Sequence, residues 1–210
     1  TVLLGATPAP ITPSPLPLEK TGITRPYFLF VGTLEPRKNL SRLLSAYSRL
    51  PVPLKDKAML VIAGGKGWGG IDIDTLVSDL NLNEHVRSLG YVDEATLAGL
   101  YSNALFLAMP SLYEGFGLPL LEAMTHGTPV LTANNSSMPE VAGDAGLLVD
   151  ALDINSIATG LEQLISDATV LEGLALKTAS NVLRFNWDQS ATQLLAVFKK
   201  AIAARHSQNH

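Results

Sequence analysis

Short apolar runs, each closed by a turn residue, recur along this chain. They are the feature that most limits what it can fold into. Tyr27-Phe28-Leu29-Phe30-Val31 ends in Gly32, and Met59-Leu60-Val61-Ile62-Ala63 ends in Gly64-Gly65. Leu105-Phe106-Leu107-Ala108-Met109 ends in Pro110, and Pro129-Val130-Leu131-Thr132-Ala133 and Gly146-Leu147-Leu148-Val149 follow. Val86 to Tyr91 is a weaker run. Continuous rather than alternating hydrophobicity predicts strands buried on both faces, which is the pattern of a parallel sheet.

Helical spacing falls between these runs. Leu40, Leu43, Leu44, Tyr47 and Leu50 repeat at helical intervals, as do Ile157, Leu161, Leu164 and Ile165. Asp93 is placed to cap a helix carrying Leu97, Leu100 and Tyr101. Pro119 just inside a short helix and Gly127 just beyond it show the expected asymmetry of helix ends. Asp188 is expected to cap a last helix with Leu194, Leu195, Phe198 and Ile202 on its buried stripe. Strand and helix in alternation predict an α/β fold: a single Rossmann-like domain with a six-stranded parallel sheet flanked by helices. Ligands of such sheets bind at the carboxyl ends of the strands, so the loops after the apolar runs are where chemistry is sought.

Composition narrows the function classes. Apolar residues make up 47% of the 210 and charged residues 16%, a globular balance rather than a disordered one. A net charge of −4 disfavours a nucleic-acid partner. The absence of cysteine removes disulfides, zinc–thiolate sites and cysteine nucleophiles together. No metal site is expected, because no histidine has a ligand partner at useful spacing. No G-x-S-x-G elbow announces a hydrolase. Pro8, Pro10, Pro13, Pro15, Pro17 and Pro26 take nearly half of the 13 prolines, so residues 1–26 read as an extended connector. Residues 27–204 read as the folded domain and 205–210 as a polar tail.

Three loops stand out. Gly32-Thr33-Leu34-Glu35-Pro36-Arg37-Lys38-Asn39 opens into the Leu40 helix. Adjacent cations there oppose the helix dipole unless an anion joins them. The spacing fits a phosphate clamp and fits, equally, two solvated basic side chains. Gly65-Lys66-Gly67-Trp68-Gly69-Gly70 matches G-x-G-x-x-G formally. It follows the second apolar run rather than the first, and lacks a ribose acid at the usual distance, so it reads as a flexible loop.

The third loop joins a buried strand to a capped helix and carries Glu114-Gly115-Phe116-Gly117-Leu118-Pro119-Leu120-Leu121-Glu122. Gly115 and Gly117 let backbone N–H groups come close to a ligand. The helix N-terminus behind them favours an anion. Glu114 and Glu122 add carboxylates that can hold hydroxyls. Phosphate, hydroxyls and an anion-ready helix together describe a nucleotide-sugar site. Taken singly, Glu122 is also a favourable charge near a helix start, and Glu114 a turn residue.

This stretch resembles the Glu-x7-Glu signature of the retaining glycosyltransferases of family 4. Gly32-Thr33 with Arg37-Lys38-Asn39, Leu89-Gly90-Tyr91-Val92, Gly127-Thr128-Pro129-Val130, Pro139-Glu140-Val141 and Trp187-Asp188 fit the same pattern. The resemblance runs from about Tyr27 to about Ala203. It implies one half of a GT-B fold, the donor-binding second domain. An N-terminal acceptor domain is then expected elsewhere in a longer protein, in keeping with a first residue that is threonine.

By this resemblance Arg37 and Lys38 bind the donor diphosphate, with Gly32 beside them. Glu122 holds the ribose hydroxyls and Glu114 contacts the donor sugar. Gly115, Phe116, Gly117 and Leu118 offer backbone groups, and Tyr91 and Val92 border the nucleobase. Arg37, Lys38 and Glu114 would serve the chemistry, which retains configuration and needs no cofactor and no obligatory metal.

The wording of the motifs is similar to bacterial mannosyltransferases using GDP-mannose, with a saccharide or lipid-linked acceptor in polysaccharide biosynthesis. That implies a cytoplasmic location at the inner face of the membrane, with peripheral attachment through the missing domain. A UDP-hexose donor, a non-catalytic nucleotide- or sugar-binding module, and a GT-B epimerase or phosphorylase relative are the competing readings.

Overall fold

The computed structural model describes Gly5, residues 21–70 and residues 72–207. In chain order the elements are β1 (Tyr27–Val31), a 3-10 turn (Pro36–Lys38), α1 (Leu40–Ser48), α2 (Val52–Lys57) and β2 (Met59–Ala63). Then come α3 (Ile73–Asp79), β3 (Val86–Gly90), α4 (Glu94–Asn103), β4 (Leu107–Met109), α5 (Leu118–Thr125), β5 (Val130–Ala133) and α6 (Met138–Ala142). A second 3-10 turn (Gly143–Ala145), β6 (Gly146–Val149), α7 (Ile154–Ser166), α8 (Ala168–Val182) and α9 (Trp187–Ser207) complete the order.

Every strand pairing is parallel, in the order β3-β2-β1-β4-β5-β6. The α/β expectation therefore holds, with its six strands. Side-chain alternation explains the unbroken apolar runs. Phe28 and Phe30 enter one core with Leu43, Leu44 and Tyr47 of α1 and Leu161 of α7. Tyr27 and Leu29 enter the other with Leu100 and Tyr101 of α4 and Leu121 and Met124 of α5. Each fully buried leucine or phenylalanine contributes about 1.5–3 kcal/mol, so neither face of β1 tolerates a polar residue cheaply.

Helix starts follow local chemistry. Asp93 caps α4 as expected, accepting from the Thr96 N–H at 2.7 Å. Asp72 does the same for α3 from Thr75. Pro119 sits in the first turn of α5, and Gly117, in a left-handed conformation at φ 94°, begins it. β1 and β2 converge so tightly beyond their ends that a Cβ on Gly64 would lie 1.9 Å from the Gly32 carbonyl oxygen.

Two expectations about α9 are corrected. Asn186, not Asp188, caps α9: its Oδ1 accepts from the Asp188 and Gln189 N–H groups, the second and third of the helix. The α9 stripe of Leu194, Leu195, Phe198 and Ile202 is exposed, not buried. Phe185 is the last buried hydrophobic residue among those described.

The end of the proposed connector also belongs to the domain. Ile23 is buried in the second core, Arg87 donates to the Thr21 carbonyl at 2.9 Å, and Arg25 donates to the Glu84 carbonyl. Residues 205–207 of the proposed tail continue α9. The rest of the connector apart from Gly5, and residues 208–210, lie outside the described residues. Among the described residues no helix is long and apolar enough to cross a membrane.

Candidate functional site

From β1 the chain moves outward through β2 to β3, then crosses back to β4 on the other side of β1. The switch point of the sheet thus lies between β1 and β4, where open α/β sheets bind ligands. The loops leaving those two strands, 32–39 and 110–117, are the two that carry Arg37-Lys38 and Glu114.

They meet through an ion cluster. Lys38 Nζ lies 2.7 Å from Glu114 Oε1, and Arg37 Nη1 lies 2.9 Å from Glu114 Oε2. Ser111 Oγ donates to Glu114 Oε1 at 2.9 Å, and Arg37 Nε donates to Glu35 Oε2 at 2.8 Å. Lys38 is 6% exposed and Glu114 7%, so the bland reading of solvated cations fails for Lys38. Partial burial disfavours the Arg37 charge, but Glu114 and then Glu35 outweigh it and hold its pKa above the ordinary value. The Lys38 stem passes over Gly32, where a Cβ would come within 3.2 Å of Lys38 Cε.

Two further devices fix this cluster. Asn39 is buried in a left-handed conformation at φ 63° and donates to the carbonyls of Pro110 at 2.8 Å and Ala151 at 2.7 Å. It thereby ties the loops after β1, β4 and β6 together. From the loop after β5, Ser136 Oγ accepts from the Glu114 N–H and donates to the Glu114 carbonyl. Ser137 Oγ bonds the Glu114 and Phe116 carbonyls at 3.0 and 2.9 Å. These residues were visible beside the motifs, but nothing in their spacing marked them as anchors.

The glycine loop is held by its carbonyls and not by its N–H groups. Among the described residues, the N–H groups of Gly115, Phe116, Gly117 and Leu118 donate no hydrogen bond outside α5. Open space surrounds the position a Cβ would take on Gly115. The Phe116 ring packs edge-on against Phe185 at 5.9 Å, so its side chain serves the core while its amide stays available. The Leu118 side chain is exposed.

Glu122 lies apart from the ion cluster. Its Oε2 accepts from the Tyr101 hydroxyl at 2.9 Å, and no described bond joins it to Arg37, Lys38 or Glu114. Tyr101 is 2% exposed, and burial, reinforced by Glu122, holds its pKa far above the ordinary value. Val92 packs on the same core as Tyr101 and Leu121, which brings the Tyr91-Val92 segment to the Glu122 side of the sheet. Tyr91 is exposed and lines a cleft of about 770 Å³ with Gly64, Gly65, Lys66, Gly67 and Ser88. The second glycine loop therefore forms one wall of that cleft. No group of three or more histidine, aspartate or glutamate side chains that could hold a metal occurs among the described residues.

A doubly wound α/β domain whose switch point carries paired cations and an uncommitted glycine-loop backbone is of the kind that holds phosphorylated ligands. The particular family follows from comparison. The chain belongs to the glycosyl transferases group 1 family, whose model matches residues 18–182.

O-antigen chain mannosyltransferase B of Escherichia coli is 39% identical over 173 residues, covering 82% of this chain and 45% of that protein. An MMP alpha-(1->4)-mannosyltransferase of Mycolicibacterium hassiacum is 32% identical over 172 residues, covering 80% and 41%. Among solved structures, sucrose-phosphate synthase of Thermosynechococcus elongatus superimposes with a TM-score of 0.78 at 28% identity, covering 95% of this chain and 52% of that one. The chain thus spans about half the length of each of these three proteins.

Proposed function

We propose that this chain is the donor-binding half of a retaining hexosyltransferase, moving mannose from GDP-mannose to a saccharide or lipid-linked saccharide. The observation that supports it most is the meeting of Arg37 and Lys38 with four uncommitted amides around Glu114. Arg37 and Lys38 balance Glu35 and Glu114 in charge, so the cations alone attract no further anion. The amides of Gly115 to Leu118, at the positive end of α5, supply the attraction that is left.

In this reading the diphosphate takes over the two cations and the amides. Glu114, released from Lys38, turns to the sugar as a positioning and electrostatic group. As the glycosidic bond to phosphate breaks, the charge growing on the leaving diphosphate is met by donors already in place, with no obligatory metal. Glu122 holds the ribose, and Tyr91 and Val92 border the base. The acceptor is held by a partner domain outside this chain, which also provides any contact with the membrane's inner face. The mannosyltransferase relatives support the choice of mannose.

Calorimetry with GDP, UDP, ADP and dTDP tests this. GDP is expected to bind, and Arg37→Ala with Lys38→Ala to abolish binding. A folded sample that binds none of the four refutes the reading, and a preference for UDP reassigns the donor to a UDP-hexose. In the longer protein, Glu114→Gln is expected to keep nucleotide binding and lose transfer. A longer protein that binds nucleotide but transfers nothing before any substitution is a binding module instead.

A further inference from the structure

We infer that Tyr101 is a positioning residue for ribose recognition: its buried hydroxyl fixes Glu122 so that one carboxylate oxygen is committed and the other is presented to the ribose diol. This rests on the proposed role of Glu122 in nucleotide binding. The hydroxyl donates to Glu122 Oε2 at 2.9 Å, while Oε1 has no described partner. Glu122 is exposed, and an exposed glutamate ordinarily samples several rotamers, whose loss weakens any contact it makes. A fixed phenol removes that loss before the ligand arrives.

Tyr101 is well built for this. It is 2% exposed, and its carbonyl accepts from Thr128 Oγ1 at 2.6 Å and from the Ala104 N–H at 3.2 Å. Its ring stacks on His126 with centroids 5.7 Å apart and an interplanar angle of 21°. His126 Nδ1 in turn shares a 2.8 Å hydrogen bond with Ser102 Oγ. The phenol therefore cannot follow the carboxylate; the carboxylate must come to it. Burial also keeps the hydroxyl protonated across the working pH range, so it acts only as a donor toward Glu122.

The chemistry predicts a specificity effect rather than a general loss. A carboxylate oxygen accepts from the ribose hydroxyls, and a nucleotide without them gains nothing from its placement. Tyr101→Phe keeps the ring and deletes the donor. The affinity for GDP should fall about fivefold, the size of one modest net hydrogen bond. The affinity for 2′,3′-dideoxy-GDP should stay nearly unchanged, so the preference for ribose shrinks by the same factor.

The measurement is calorimetry of both nucleotides on wild type and Tyr101→Phe, with thermal melting to confirm folding. An unchanged ribose preference overturns the inference, and so does an equal loss for both nucleotides, which marks a purely structural role. Should Tyr101→Phe fail to fold, Glu122→Asp serves. It keeps the charge but withdraws it from the phenol, and should lose the ribose preference as completely as Glu122→Ala. Full preference in Glu122→Asp overturns the inference. Wild-type protein that binds none of GDP, UDP, ADP and dTDP refutes the nucleotide-binding reading itself, a failure distinct from these.

Discussion

Glu114 and Glu122 share one motif and one loop-to-helix junction, yet they live in opposite surroundings. Glu114 is 7% exposed, and Arg37, Lys38 and Ser111 all bond its carboxylate. Glu122 is exposed, and one phenol holds one of its oxygens. A buried carboxylate must be neutralised and hydrogen-bonded to exist at all, whereas an exposed one is solvated and free to be recruited. The first is therefore part of what holds two loops together, and the second is a reaching arm. The difference lies beyond the strand ends: the loop of Glu114 leaves β4 and is held by the loops after β1 and β5, and α5 carries Glu122 a helical turn into the next element.

The largest test breaks that contrast directly. Glu114→Ala leaves Lys38 buried without its carboxylate and should cost about 3–5 kcal/mol of stability in urea denaturation. Glu122→Ala should cost less, about 1–2 kcal/mol, because it takes the acceptor from the buried Tyr101 hydroxyl but strands no charge. Equal losses would mean that the two carboxylates are not physically distinct.

Asn39→Ala comes next. It strands the Pro110 and Ala151 carbonyls in the interior and should cost about 2–3 kcal/mol. It should also weaken GDP binding while sparing the discrimination between ribose and dideoxyribose, because Asn39 serves the Glu114 side alone. Ser137→Ala is smaller. Losing its bonds to the Glu114 and Phe116 carbonyls should cost about 1 kcal/mol, with nucleotide affinity falling in parallel as the amides lose their fixed positions.

The contrast also shows where the sequence could be read and where it could not. Six apolar runs at regular spacing were enough for the sheet, because burial on both faces leaves a local mark. The pairing of Pro119 and Gly127 was enough for α5, because helix ends impose local chemistry. Glu114 stood out beside its glycines, but its partners lie some 76 positions away at Arg37 and Lys38, and no local pattern encodes a pairing across a switch point. Asn39, Ser136 and Ser137 act through backbone carbonyls of other loops and leave no periodic signature either. α8 went unread because only Thr178 and Asn181 of it are buried, so its apolar stripe is weak. α9 misled for another reason: Leu194, Leu195, Phe198 and Ile202 stand at helical spacing, yet these side chains are exposed.

The smallest expected effect comes from the Glu122 side and is set by pH. His126 stacks on Tyr101, and burial lowers its pKa below the ordinary 6.5, against a weaker upward pull from the Glu122 charge. The unfolded chain therefore takes up a proton at this position more readily than the folded one. This contribution is complete above the unfolded pKa, near 6.5, and is lost as pH falls from there through the folded value. His85 is lowered in the same direction by its own burial, so a slope in the wild-type stability between pH 7 and pH 5 belongs to both histidines. His126→Gln isolates one of them: the slope should flatten but not vanish. The same variant should leave the Lys38–Glu114 pair and the cost of breaking it untouched, since no described contact joins His126 to that cluster. A flattened slope together with a changed Glu114→Ala penalty would show that the two carboxylate regions are energetically coupled through α5.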